Sequence, residues 1–260
     1  MEELTAAGGA LTAAREGRGR NLVILHSLLT DRHAFDSVLP EFAKRFRVTL
    51  PNLPGFHGAK AVGASVEAYA EWLGRAFEAF DIQRDAILMG NGFGGTVALG
   101  FALANSKRLS KLVLSDVAAG FPEPGKQAFR TMAAKVAEGG MGAVAELAAN
   151  RVFHEAYLAK RPEAVAERRA VLLKVDPTAF RAACTSLVEV DLVPQLPKLE
   201  VPTLLVCGEL DQATPPALVR LIASRVPGAR YVELKDCGHC PPLEQPKAFL
   251  AAIEDFVASP

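Results

Sequence analysis

Three stretches hold the residues whose types and spacing could do chemistry. The first is Gly90-Asn91-Gly92-Phe93-Gly94-Gly95, set between the apolar run Ala86 to Met89 and a small-residue helix expected over 96–104. A short strand, a glycine-dense turn and a helix are the context of a nucleophile elbow, which reads G-x-nucleophile-x-G. The flanking glycines are needed because a side chain there would collide with the neighbouring strand and helix of so sharp a turn. Gly90 and Gly94 fill those positions, but the place for serine, cysteine or aspartate holds Gly92. The turn of nucleophilic catalysis is present without its nucleophile. The other two stretches are Gly208-Glu209-Leu210-Asp211-Gln212-Ala213-Thr214-Pro215-Pro216 and Asp236-Cys237-Gly238-His239-Cys240-Pro241-Pro242-Leu243-Glu244. Both follow apolar β-runs, at the strand ends where open α/β sheets place ligands. The chain order is nucleophile position, acid, histidine.

The elements that must position them follow from periodicity. Residues 4–16, split by Gly8-Gly9, suggest an antiparallel hairpin at a sheet edge. Leu22-Val23-Ile24-Leu25 reads as a strand covered on both faces, ending in His26-Ser27-Leu28-Leu29. A helix is expected over 34–46, a strand over 47–50, and a helix capped by Ser65 to about Phe80. Further strands are expected at 86–89, 112–116, 203–207 and 231–234, with helices at 215–226 and 246–257. Strands alternating with helices predict βαβ units and a mostly parallel sheet. Over 118–190 the pattern is helical only, in four segments (125–138, 142–149, 162–174 and 177–187), which predicts an inserted helical cap. Residues 1–117 and 191–260 would form the core.

With 260 residues, half of them hydrophobic, the chain can bury one large core. Lys plus Arg equals Asp plus Glu at 29 each, so no global field favours nucleic acid or an anionic membrane. A small-molecule substrate fits better, with a monomer or homodimer expected. The start Met1-Glu2-Glu3 has no basic or apolar leader character, no stretch approaches a transmembrane span, and four cysteines make no disulfide framework. The expectation is a cytoplasmic protein.

At this point the chain resembles the α/β-hydrolase superfamily over nearly its whole length. Besides the elbow and the acid and histidine segments, His26-Ser27-Leu28-Leu29 is similar to the family's His-Gly oxyanion segment with serine replacing glycine, and Leu53-Pro54-Gly55-Phe56 to its next loop. The 211–216 segment, Leu243-Glu244-Gln245-Pro246 and the four-helix cap look most like the 3-oxoadipate enol-lactone hydrolase group. The resemblance implies an α/β-hydrolase fold without a cofactor or a metal. It makes His239 the general base, Asp211 its orienting partner, and the amides of Leu28 and Phe93 the oxyanion donors. Asp116 is the alternative acid, since some relatives place it there. His26, Ser27 and Asn91 are the expected substrate contacts.

Three accounts of Gly92 stay open. His239 activates a water in the space left by the missing side chain; or the base and oxyanion hole serve lyase, decarboxylation or carbon–carbon cleavage chemistry through an enolate; or the pocket only binds a ligand, the glycine being a natural loss or an engineered trap. The reading adopted is hydrolysis of an enol-lactone or activated small ester by water. Ser27 could be a substitute nucleophile or hydrogen-bond donor, although a tolerated small residue is the simpler account.

His33 and His57 are expected in loops near the mouth, exposed rather than bound to substrate. His154, Phe121, Phe129, Phe153 and Tyr157 are candidates to line the pocket, or to pack the cap. The glycine turn lacks the Lys-Ser/Thr of a phosphate loop. Cys237-Gly238-His239-Cys240 has the spelling of a disulfide oxidoreductase motif in the wrong context and lacks a fourth metal ligand. Oxidation of Cys240 is expected to perturb its neighbour His239.

Overall fold

The computed structural model describes residues 1–82 and 84–259. Among them eight strands form one sheet: β1 (Glu2–Ala6), β2 (Leu11–Glu16), β3 (Arg20–Leu25), β4 (Phe46–Pro51), β5 (Ala86–Asn91), β6 (Leu109–Ser115), β7 (Thr203–Gly208) and β8 (Arg230–Leu234). Their order is β1-β2-β4-β3-β5-β6-β7-β8. β1 pairs antiparallel with β2, the edge hairpin that the glycine-split N-terminal pattern predicts; β2 pairs antiparallel with β4, and the remaining pairings are parallel. The central strands β3 and β5 to β7 are nearly all buried, which is why they read as continuous apolar runs.

The helices are α1 (Leu39–Ala43), α2 (Val66–Ala79), α3 (Phe93–Asn105), α4 (Glu123–Gly139), α5 (Gly142–Val152), α6 (Glu155–Lys160), α7 (Glu163–Leu172), α8 (Pro177–Glu189), α9 (Pro216–Arg225), α10 (Pro241–Glu244) and α11 (Pro246–Ala258). Helix α3 packs on β3, β5 and β6, with α2 behind it; α9 and α11 pack on β7 and β8. Ser65 caps α2 by accepting from the Ala68 N–H at 3.2 Å. Tyr69, Trp72 and Phe77 on its inner face are fully buried, and leaving water contributes roughly 1.5–3 kcal/mol for Phe77.

Two local readings are corrected. The helix expected over 34–46 is a 3₁₀ turn (Arg32–Phe35) followed by the short α1, because Pro40 has no N–H and can only open a helix. Residues 118–190 hold five α-helices rather than four: α6 is added, its N-terminus capped by the His154 ring, which accepts from the Ala156 N–H. The short α10, immediately after the histidine, was also not expected.

The helical segment joins the sheet through one continuous hydrophobic core. Two polar ties reinforce it. The Asp176 N–H donates to the Gly55 carbonyl at 3.0 Å, and Arg168 of α7 pairs with Asp31 in the loop after β3 at 3.3 Å. No helix of the described residues is long and apolar enough to cross a membrane.

Candidate active site

Parallel register decides what meets at the C-terminal edge of the sheet. Leu25 of β3 pairs with Gly90 of β5, and Gly90 with Leu114 of β6. Two residues further along, Ser27, Gly92 and Asp116 therefore leave the sheet side by side. Gly92 adopts φ +54°, ψ −120°, the left-handed geometry of an elbow, and its N–H donates to the Ser115 carbonyl at 2.9 Å. A Cβ at Gly90 would lie 2.4 Å from the Gly94 carbonyl oxygen, and one at Gly94 2.4 Å from that of His26, so the flanking positions admit no side chain.

The imidazole of His239 sits opposite. Its Nδ1 is 2.9 Å from Asp211 Oδ2, and both residues are buried. Asp211 Oδ1 accepts from the amides of Ala213 (2.7 Å) and Thr214 (3.0 Å), while the Thr214 hydroxyl reaches Oδ2 at 2.5 Å. Burial alone would raise the Asp211 pKa; the charge and hydrogen bond of His239, with the Thr214 donors, outweigh it and hold the carboxyl below its ordinary value. An ionised Asp211 accepts a hydrogen bond from the Nδ1–H and leaves the Nε2 lone pair free. Thr214 lies in a segment that sequence reading singled out, but nothing in its type pointed to this role.

The loop carrying His239 is held by Glu244, whose carboxylate accepts from the amides of Gly238 (3.0 Å) and Cys240 (3.1 Å). The His239 N–H donates to the Val152 carbonyl of α5 at 3.2 Å. Asn91 Nδ2 donates to the His239 carbonyl (3.1 Å) and to that of Ser115 (3.3 Å). Asn91 thus braces the histidine from beneath and does not line the cavity described below, which corrects its expected contact with substrate.

Asp116 is fully buried at φ +51°. Its carboxyl accepts from the Gly208 amide (2.8 Å) and the Ser115 hydroxyl (2.5 Å), and it makes no hydrogen bond to His239. Burial, then the neighbouring Asp211 charge, push its pKa well above the usual carboxylate range. Of the two candidate acids, Asp211 is the one bonded to the imidazole.

The space beside Gly92 is not empty. A Cβ built there would lie 2.3 Å from Ser27 Oγ and 2.8 Å from His239 Nε2. The Ser27 hydroxyl occupies the nucleophile's place, 3.4 Å from His239 Nε2. His26 does not reach the cavity either. Its Nε2 accepts from the Leu53 amide at 3.1 Å, so Nδ1 carries the proton and donates to the Ser27 carbonyl at 2.9 Å. Burial lowers its pKa to about 4 and keeps it neutral.

Ser27, Leu28, Gly92, Phe93, Thr214 and His239 line an apolar cavity with about 30 Å³ of space open to a water-sized sphere, room for one or two waters. The helical segment closes it with Phe121, Phe129, Met132, Arg151 and Leu187. Among the described residues, the amide N–H groups of Leu28 and Phe93 have no protein acceptor. A second cavity of about 330 Å³, lined by Arg151, Phe153, His154 and Leu158, reaches the other side of His239. Tyr157 instead stacks on Phe153 at 4.8 Å. His57 pairs with Asp31 at 3.0 Å and His33 with Asp36 at 2.9 Å, both away from the cavity. Arg151 lines both cavities; sequence reading missed it, since one arginine on a helix carries no signal.

The chain is similar to several known proteins. Pimeloyl-[acyl-carrier protein] methyl ester esterase of Aeromonas hydrophila is 30% identical over 269 residues, covering 95% of this chain and 99% of its own. 3-Oxoadipate enol-lactonase 2 of Acinetobacter baylyi is 27% identical over 65% of this chain and 62% of its own length. The solved enol-lactonase of Burkholderia xenovorans LB400 superposes with a TM-score of 0.90 at 28% identity, over 99% of this chain and 100% of that one. The model of the alpha/beta hydrolase family matches residues 22–252, and the chain belongs to that family.

Proposed function

We propose that the protein hydrolyses a small activated ester or an enol-lactone, and that the substrate carries a carboxylate. His239 is the general base, Asp211 orients it, and the amides of Leu28 and Phe93 receive the oxyanion of the tetrahedral intermediate. Such donors are worth roughly 3 kcal/mol each in known sites. Residues 118–190 act as a cap whose helices exclude water and shift to widen the narrow cavity for a substrate.

The observation that carries this reading is the Asp211–His239 bond, at 2.9 Å, beside a cavity lined by Leu28 and Phe93, whose amides have no acceptor among the described residues. A pocket that only binds has no use for an ionised acid holding an imidazole in one tautomer. The carboxylate is inferred from Arg151, which forms no ion pair among the described residues and is the cation in the lining. Esterase and enol-lactonase names among the relatives support the substrate class.

Steady-state assays on a panel of enol-lactones, half-esters of dicarboxylic acids and neutral p-nitrophenyl esters test the reading. Turnover that His239→Ala lowers by 10³-fold or more is expected; a panel left untouched by the wild type overturns it.

A further inference from the structure

We propose that Ser27 is the nucleophile, moved from the elbow to the end of the neighbouring strand. The inference rests on the hydrolase reading and names the attacking atom that Gly92 cannot supply.

Three observations converge on it. Parallel pairing of Leu25 with Gly90 makes residues 27 and 92 neighbours, so a side chain on either can reach the same point. The Ser27 hydroxyl occupies that point, 2.3 Å from where a Cβ on Gly92 would stand and 3.4 Å from His239 Nε2. Contacts of this length in an unliganded site shorten when substrate binds. Finally, the Ser27 backbone is pinned: its carbonyl accepts from His26 Nδ1 (2.9 Å) and the Thr30 amide (3.3 Å), and its own N–H donates to the Thr30 hydroxyl (3.2 Å). A hydroxyl held in place beside a base is the arrangement of an activated nucleophile.

The oxyanion hole survives the exchange. In an elbow enzyme one donor is the amide after the nucleophile and the other comes from the neighbouring loop. With the nucleophile at 27, the amide after it is that of Leu28, and Phe93 supplies the second. The same two N–H groups serve, with their roles exchanged.

The chemistry then runs as follows. Ser27 Oγ attacks the carbonyl carbon as its proton passes to His239 Nε2. The tetrahedral intermediate collapses, the C–O bond to the leaving oxygen breaks, and His239 returns the proton to that oxygen. Water, deprotonated by His239, attacks the acyl-Ser27 ester; its cleavage releases the carboxylic acid and restores the Ser27 hydroxyl with the proton from His239. The sum is one ester and one water giving one acid and one alcohol.

The test combines labelling with turnover on the full chain. The wild type is treated with a fluorophosphonate probe, digested and mapped by mass spectrometry; Ser27→Ala and His239→Ala are assayed in parallel, with melting temperatures recorded. The expected result is a phosphonyl adduct on Ser27, a one-equivalent burst of p-nitrophenolate from an activated ester, and a loss of 10³-fold or more in kcat for Ser27→Ala at an unchanged melting temperature. Turnover retained in Ser27→Ala but lost in His239→Ala overturns the inference and leaves the hydrolase reading standing. An adduct on Ser27 without turnover of any ester supports the nucleophile and sinks the hydrolase reading. Neither adduct nor turnover overturns both.

Discussion

The side chain of Ser27 fills the volume that glycine leaves at position 92, the two positions being brought together by strand register. Gly92→Ser must therefore displace the Ser27 hydroxyl and the His239 ring while placing serine at φ +54°. A cost of roughly 1–3 kcal/mol is expected, the range for overpacking and strained backbone. In Ser27→Gly/Gly92→Ser the crowding is relieved, and the double variant should melt above the single one. Differential scanning calorimetry of the cycle reads the coupling; strictly additive melting shifts would show that the positions do not compete for space.

The two buried acids should behave in opposite ways. Asp211→Asn removes the acceptor that fixes the His239 tautomer, and kcat should fall by roughly 10³–10⁴-fold. Asp116→Asn alters a carboxyl whose pKa burial raises and which makes no hydrogen bond to His239, so kcat should stay within several-fold of wild type at pH 7. Equal losses in the two variants would contradict this division.

His26 makes stability depend on pH. Its folded pKa of about 4 lies below the ordinary 6.5, so between those values the unfolded chain takes up a proton that the folded one refuses. Its contribution is whole above pH 6.5 and is lost on the way down to about 4, amounting to roughly 3 kcal/mol. Asp116 and Glu244, whose pKa values burial raises, act with the opposite sign at acid pH, so the wild-type slope alone is ambiguous. The difference in urea stability between wild type and His26→Gln, taken at pH 7 and pH 4.5, isolates the histidine; a constant difference would contradict the prediction.

Arg151 should sort substrates by charge. Arg151→Gln is expected to raise KM for half-ester carboxylates about tenfold, a loss of roughly 1.4 kcal/mol, and to leave neutral esters nearly unchanged. A uniform change across both classes would assign Arg151 to packing.

The expectation that oxidised Cys240 disturbs the site is not supported by its surroundings. All four cysteines are buried and unpaired, and burial raises the Cys240 thiol pKa well above its ordinary value. Ellman's reagent should find no reactive thiol in the native protein and four after unfolding.

The sheet was legible because β3, β5, β6 and β7 are covered on both faces and show it as apolar runs, and the elbow because Gly90 and Gly94 have no steric alternative. His239 and Asp211 stood at strand ends, where spacing alone suggests chemistry. The meeting of residues 27 and 92 was not legible, because it depends on which residue of β3 faces which of β5, and apolar runs do not encode register. The roles of His26 and Asn91 were misread for a related reason: a polar residue beside a site looks the same in sequence whether it faces the substrate or ties down the backbone. Arg168, whose pairing with Asp31 spans 137 positions, left no local trace.

The dihedral angles of Gly92 also bear on how this site could have evolved. Serine in an elbow holds a conformation that costs an L-residue roughly 1–3 kcal/mol, a penalty borne by every enzyme that keeps its nucleophile there. Here glycine takes the positive φ, and Ser27 sits at negative φ. Reactivity and backbone strain are carried by different residues. The stability not spent on a strained serine is left to offset destabilising substitutions elsewhere in the chain, so residues away from the turn can drift toward new substrates without bringing the fold close to its stability limit.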